Sequence, residues 1–311
     1  MLGILVVTNP RSRQNRRDPA LTAQLSALVG DLGRVVAPTT TASLRAELIQ
    51  ARAEGVEVVA INGGDGSTHV VLTELVAVYG DTLPLVALLR GGTMNTIASG
   101  LRIRGSTRAL VARIVDELRA RRPLRTVTRS LLRVDGPEPQ YGFLFGNGLI
   151  ANFLEVYYEG SEPTPLKALW ILARGVLSAA YGGAMIRRLM RPILLDIEVD
   201  GVRSARRDHL AIGAGTVDDI GFRFRPFYLA PRHPGRIHTL AIACTPLRFV
   251  FQLPWIWTAR PTRDADIHPS VSEAFVLRAD RPINFMIDGD FHAGGAELRV
   301  STGPEVRLIV P

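Results

Sequence analysis

The stretch VVAINGGDGSTHVVLTEL, residues 58–75, joins an apolar run to a helix-like pattern through three glycines set around one carboxylate, Asp65. Residues 58–62 read as a buried strand, and the spacing predicts a helix over 68–79. Glycines at 63, 64 and 66 admit positive φ and let a ligand touch the main chain. Free N–H groups at such a turn, and at the helix start that follows, attract an anion such as phosphate. A carboxylate at that place needs a reason. Asp65 caps the helix, or meets Mg²⁺ on a nucleotide, or accepts a proton from an attacking hydroxyl.

A second stretch repeats the design. LLRGGTMNTIASGL, residues 88–101, runs from an apolar strand through Gly91, Gly92 and Thr93 to a helix start with Asn95. Two such turns at the carboxyl ends of strands in one sheet would face the same crevice. TNPRSR, residues 8–13, is a third polar turn; Asn9 can bond locally or reach a nucleotide, and Pro10 fixes the turn. The cluster Thr39, Thr40, Thr41 precedes a helix; capping explains it, with contact to a phosphate or adenosine as the alternative. There is no G-x-x-x-x-G-K-[ST], which excludes a P-loop, and no G-x-G-x-x-G opens the first helix.

Outward from these turns, strand-like runs at 3–8, 57–62 and 83–89 alternate with helical patterns near 18–30, 43–54, 68–79 and 107–121. That alternation predicts a parallel α/β sheet. The basic, proline-bearing stretch 120–129 ends the series. The expected boundary is near 127, giving domains 1–127 and 128–311. The second is rich in short strand-like runs (130–136, 141–150, 192–201, 207–215, 236–244, 274–280, 282–290, 296–301 and 306–311), which suggests an antiparallel sandwich or barrel.

The 311 residues are 47% hydrophobic and 21% charged, the composition of a globular protein with a core. Net charge is +8, and all but one of the 37 basic residues are arginine, Lys167 being the exception. Arginine suits an acidic partner, a nucleotide or an anionic lipid surface. Aromatics at 6% and the lack of any nucleic-acid motif argue against DNA or RNA. Cys244 is the only cysteine, so no internal disulfide and no cysteine metal site forms, and a reducing, cytoplasmic location is expected. MLGILVVTNP reads as a first strand and turn rather than a signal peptide.

Residues 168–186 form an apolar segment interrupted by Arg174. A central arginine costs roughly 3 kcal/mol on insertion scales, so a long amphipathic or buried helix is expected at 166–190 in preference to a span. FVFQLPWIWTAR, residues 249–260, sets Trp255 and Trp257 beside Arg260. The composition suits a membrane interface as well as it suits a core. With the net charge, it suggests peripheral docking on an anionic bilayer. The histidines show no metal-ligand spacing, and His69 is the one expected to approach the nucleotide.

Four motifs in order resemble the diacylglycerol kinase catalytic-domain family, which includes bacterial lipid kinases, sphingosine kinases and ceramide kinases and is a cousin of NAD kinase. They are Asn9-Pro10, Gly63-Gly64-Asp65-Gly66-Ser67, Gly92-Thr93-Met94-Asn95 and Asp288-Gly289-Asp290. The resemblance implies an α/β, NAD kinase-like first domain, a β-sandwich second domain with helical insertions, and a cleft between them. It also implies ATP with Mg²⁺ as donor and a lipid hydroxyl as acceptor. On it, Asn9, Pro10, Thr39, Gly63, Gly64, Asp65, Gly66, Ser67, Thr68, Gly92, Thr93 and Asn95 bind the nucleotide, and Asp65 meets the metal. The late acid, Asp290, matches the glutamate often assigned as base, with Asp65 and Asp288 as competitors. Several family acids are replaced, at Val70, Thr96, Pro234 and His238. The last two fall in the stretch RHPGRIHT, where bacterial members hold a structural Mg²⁺.

The expected function is therefore ATP-dependent phosphorylation of a lipid: diacylglycerol, a ceramide or a sphingoid base. A soluble NAD kinase-like enzyme and a non-catalytic nucleotide- or lipid-binding relative are the alternatives. The expected partner is a lipid at an anionic membrane surface, with no nucleic acid, and a homodimer stays open.

Overall fold

The structure is a computed structural model and describes residues 3–160, 164–179 and 181–311. The chain forms two compact units, Met1–Leu131 with Pro304–Pro311, and Leu132–Gly303. Where the composition change pointed to residue 127, the compact units part at Leu131, and the last eight residues fall in the first unit.

The first unit is a parallel sheet with helices. Its elements are β1 (Ile4–Thr8), α1 (Arg13–Arg17), α2 (Leu21–Val29), β2 (Gly33–Val36), α3 (Thr41–Ala53), β3 (Val58–Asn62), α4 (Asp65–Tyr79), β4 (Leu85–Leu88), α5 (Thr96–Gly100) and α6 (Thr107–Arg119). β1 pairs in parallel with β2 and β3, and β3 with β4. The chain terminus adds another parallel strand, with Leu308 beside Val86. β1 and β3 are buried at every position, as expected of central parallel strands covered on both faces. Ile4, Val6, Val58 and Ala60 pack with Leu21, Leu25 of α2 and Val111, Ile114 of α6. Residues Leu5, Val7, Val59 and Ile61 alternate with that set and are buried on the opposite face. α3 starts at a capping box in which Thr40 and Ser43 exchange side-chain and backbone bonds.

The second unit is antiparallel, with helices inserted. It begins within β5 (Thr126–Val134) and continues through β6 (Gln140–Gly142), β7 (Leu144–Gly148), α7 (Leu149–Tyr158), α8 (Pro165–Ala179) and α9 (Ala184–Leu189). Then come β8 (Ile193–Leu194), β9 (Asp196–Val199), β10 (Val202–Arg203), β11 (Asp208–His209), β12 (Ala211–Gly215), β13 (Ile237–Ile242) and α10 (Pro246–Trp257). β14 (Ile267–Ser272), β15 (Ala274–Arg278), β16 (Asn284–Ile287), β17 (Asp290–Ala293) and β18 (Glu297–Ile309) complete it. One sheet has the order β14-β13-β12-β7-β16-β17, and β10-β9-β15-β18 runs through the other. Phe145 of the first sheet meets Phe275 of the second edge-to-face at 5.6 Å, inside an apolar core shared by both, so this unit is a sandwich. The other face of the first sheet is bared by Gly146, Gly213 and Gly215. A Cβ at Gly146 would lie 2.4 Å from Ile150 of α7, and one at Gly215 2.5 Å from the Phe227 ring.

Some elements depart from the sequence reading. The run 141–150 ends as strand at Gly148, whose φ of 64° turns the chain into α7. The helix expected over 166–190 is two helices; the chain turns at Gly182 (φ 63°) and restarts from Gly183 as N-cap. Ala180, inside the apolar segment, lies outside the described residues, as do Met1 and Leu2 of the first strand-like run. Among the described residues no helix is long and apolar enough to cross a membrane.

Candidate functional site

β3 ends at Asn62, which is wholly buried. Its Nδ2 donates to Thr8 Oγ1 (2.8 Å) and Asn15 Oδ1 (3.1 Å), and Asn15 Nδ2 donates to Thr8 Oγ1 (3.1 Å) and to the Asn9 carbonyl. The ends of β1 and β3 and the short helix α1 are thus pinned by one amide network. Gln14 N donates to the Gly91 carbonyl (3.2 Å), which brings the second glycine turn into the same frame.

The two turns touch backbone to backbone. A Cβ on Gly92 would sit 2.2 Å from Gly64 Cα and 2.9 Å from Gly64 N, and one on Gly91 would sit 2.5 Å from Asn62 Oδ1. A Cβ on Gly63 would lie 2.3 Å from that of Ser67. None of Gly63, Gly64, Gly66, Gly91 or Gly92 has positive φ; that conformation falls on Arg90 (58°) and Asn95 (49°) instead. Space, and not the positive φ expected from sequence, therefore requires glycine at 63, 64, 91 and 92. Asn95 holds its left-handed conformation by accepting from Gly92 N (2.9 Å) and donating to Gly92 O (3.0 Å).

Asp65 is the first residue of α4, but it caps a different helix. Its carboxylate accepts from Thr96 N (2.9 Å) and Ile97 N (3.3 Å), the first two residues of α5. It clamps the second turn to the first. α4 itself starts from Gly64 with no side-chain cap. Its first-turn N–H groups and the macrodipole of a 15-residue helix lie at the half-buried residues Gly64, Asp65, Gly66 and Ser67, a surface suited to an anion.

Asn9 Nδ2 donates to Ser67 Oγ (2.8 Å), and Asn9 Oδ1 accepts from Arg11 N (2.9 Å). Thr93 is half-buried beside Gly92 and Pro10 is exposed. Thr68 is buried, its hydroxyl donating to the Gly64 carbonyl (3.2 Å). Thr40 provides the α3 cap, and Thr39 is exposed just before it. His69 is buried within α4, at 1% exposure. The structure thus gathers Asn9, Gly63, Gly64, Asp65, Gly66, Ser67, Gly92, Thr93 and Asn95. Sequence reasoning missed Asn15 and Asn62; an asparagine at a strand end, just before a glycine turn, was the available signal.

In the second unit, Asp288 and Gly289 are the two residues of a hairpin turn between β16 and β17, with φ of 46° and 91°. Two positive φ values are the signature of a type I′ turn, which Asp-Gly favours. Asp288 is 2% exposed, and its carboxylate accepts from Phe143 N (3.0 Å) and Leu144 N (2.9 Å). Asp290 is half-buried at the first position of β17. Burial raises its carboxyl pKa, and the charge of His292 partly offsets this. Tyr158, half-exposed at the end of α7, places its hydroxyl 3.9 Å from where a Gly289 Cβ would be, and meets Phe291 edge-on at 6.5 Å.

Among the described residues no group of three or more His, Cys, Asp or Glu could hold a metal ion. In the stretch RHPGRIHT, His238 is wholly buried in β13, where its Nδ1 accepts from Leu229 N (3.3 Å) and the rings of Phe227 and Tyr228 stand edge-on to it. Burial lowers its pKa to about 4.

Residues 3–125 match the family model of the diacylglycerol kinase catalytic domain. No curated protein sequence matches the chain. Among solved structures, one described as a diacylglycerol kinase from Bacillus anthracis str. Sterne superposes with a TM-score of 0.64 at 13% identity, covering 100% of this chain and 97% of that one. Two further structures from that strain give TM-scores of 0.69 and 0.68 at 13% and 14% identity, over 100% of this chain and 96% and 97% of theirs. Residues 3–125 therefore carry the diacylglycerol kinase catalytic-domain pattern, and the chain as a whole has the fold of those bacterial structures.

Proposed function

We propose that the protein is a lipid kinase that moves the γ-phosphate of ATP to a lipid hydroxyl. The observation that carries this reading is the backbone contact between the Gly63–Ser67 and Gly91–Asn95 turns, at the uncapped start of α4. Only glycine permits it, and it presents N–H groups with no side chain in front of them. The backbones of Gly64, Gly66, Ser67 and Gly92, with the Thr93 hydroxyl, would hold the phosphates. Asn9 orients Ser67 through its amide, and the exposed Pro10 and Thr39 would meet the nucleotide's margin.

The donor set suits an anion and not a free metal ion. With no protein cage for a cation among the described residues, Mg²⁺ would arrive on the nucleotide, with Asp65 as its nearest protein carboxylate. When bound it neutralises charge on the transferring phosphoryl group. Asp65 keeps the two turns in register whether or not it also meets the metal. Asp290 is the proposed base for the acceptor hydroxyl, as the match to the glutamate that the resemblance assigns to that role; burial raises its carboxyl pKa. Asp288 is already committed to two backbone donors.

A second reading is nucleotide binding without transfer. The lack of a carboxylate cluster, with Val70 and Thr96 where family acids are expected, favours it. Labelled ATP supplied with a total lipid extract, and separately with NAD, distinguishes the three. A labelled lipid product supports the kinase reading. Label on NAD alone identifies the soluble kinase, and bound ATP with no transfer supports the second reading.

A further inference from the structure

Two helices of the second unit, α8 and α10, are apolar on both sides. On α8, Ala168, Ile171 and Ala179 face inward and are buried. On the opposite side Leu166, Leu169, Trp170 and Leu177 are 76%, 53%, 54% and 69% exposed. α10 repeats this, with Gln252 and Ile256 buried and Leu247 and Phe251 exposed at 44% and 63%. Helices apolar all round are normally enclosed. These two pack against each other and keep outward stripes of large apolar side chains, a feature that marks an interaction surface.

The charges say what that surface meets. Neither helix has an acidic residue, and their only charged groups are Lys167, Arg174 and Arg248, of which Arg248 is paired with Asp264 and Asp266 beyond α10. All three tryptophans of the chain sit here, and each ring is faced by an arginine: Trp170 by Arg174 at 4.9 Å, Trp255 by Arg263 at 5.0 Å, Trp257 by Arg223 at 5.9 Å. Arginine over tryptophan places a cation at headgroup depth and a flat amphipathic ring just below it. A protein partner of ordinary surface composition offers no layered match to that arrangement.

We infer that the exposed faces of α8 and α10 form one docking surface that lies in the headgroup layer of an anionic bilayer, without spanning it. Insertion of the apolar stripes supplies affinity, and the arginines select anionic lipid. The choice of a bilayer as occupant rests in part on the lipid-kinase reading. Binding is therefore measured with no ATP or acceptor present, so that a failure to dock and a failure to phosphorylate are separate results.

The probe is the intact protein with vesicles of phosphatidylcholine alone, or of phosphatidylcholine with phosphatidylglycerol. Because every tryptophan lies on α8 or α10, intrinsic emission reports on this surface and no other. The expected result is a blue shift, and partition roughly tenfold or more stronger on anionic vesicles, weakened by salt. The double variant Leu169→Glu with Phe251→Glu should lower partition about tenfold at an unchanged thermal midpoint. Arg174→Gln with Arg263→Gln, which leaves the apolar stripe intact, should reduce mainly the preference for anionic lipid. The proposal is overturned by an absent blue shift on anionic vesicles, by equal binding of both variants, or by a dimer that the Glu variant dissociates in a protein that ignores vesicles.

Discussion

Asp65 and Asp288 each stand beside a glycine in a short motif, and each grips two backbone N–H groups from a distant segment. The resemblance ends with their surroundings. Asp65 is half-buried at the open start of a long helix, and its two bonds go to the first turn of α5. Asp288 is sealed in a hairpin, with its bonds made to the strand edge at Phe143 and Leu144. A carboxylate in a glycine motif is thus not chemistry by position alone. What separates the two is the exposure of the carboxylate itself, half-buried at a helix start for Asp65 and 2% exposed for Asp288.

The comparison breaks first at Asp290, the acid of the hairpin with no such duty. Asp290→Asn should lower phosphoryl transfer by roughly 10³-fold with the thermal midpoint unchanged. With Asp290 as the proposed base, the acid limb of the parent's pH–rate curve should be shifted upward from that of an ordinary aspartate, since burial raises its pKa. A midpoint that drops in Asp290→Asn would make this residue a second Asp288.

Asp288→Ala should cost about 3 kcal/mol of stability by leaving two buried donors without an acceptor. Urea unfolding followed by tryptophan emission reads this directly, because the tryptophans lie in the same unit. Asp65→Asn keeps an acceptor for Thr96 N and should fold normally, yet lose roughly 10²-fold in transfer. Asp65→Ala should lose as much activity and about 1 kcal/mol of stability as well, the usual worth of a helix cap. Equal activity of the Asn variant and the parent would reduce Asp65 to a cap and leave it no electrostatic part in transfer.

Acid sharpens the contrast between the units. His238 is buried neutral in the second unit, with a folded pKa of about 4 against 6.5 for an unperturbed histidine. The unfolded chain therefore binds its proton first as pH falls. The stabilisation is present above 6.5 and declines between 6.5 and 4, by about 2 kcal/mol at pH 5. His238→Phe should flatten that limb of tryptophan-detected stability against pH; an unchanged slope would show that other groups govern it.

Much of the first unit was legible because its signals are local. β1, β3 and β4 are near-continuous apolar runs, and the helix period resumes after each glycine turn. β2 escaped because Gly33-Arg34-Val35-Val36 is only four residues long and half-buried throughout. α7 escaped because residues 141–150 are apolar without period, and only the φ of Gly148 divides strand from helix. At the site, the glycines were legible as a pair of turns, but their purpose was not. The sequence suggests left-handed backbone, whereas the structure uses the missing Cβ atoms to seat one main chain against another. The clamp from Asp65 to α5 was hidden as well, since it joins residues 31 and 32 positions apart that no periodicity links.

The return of the last eight residues to the first unit bears on how the protein is made. Val306 and Leu308 are wholly buried, and Leu308 lies beside Val86 in β4. During synthesis the first unit emerges early but lacks the partner strand of β4 until the intervening second unit has been made. Its sheet edge stays unpaired while some 170 intervening residues are synthesised, a long exposure for an element so prone to wrong pairing. A change that unseats Val306 or Leu308 would strip that strand from a unit whose other residues lie more than 170 positions earlier in sequence.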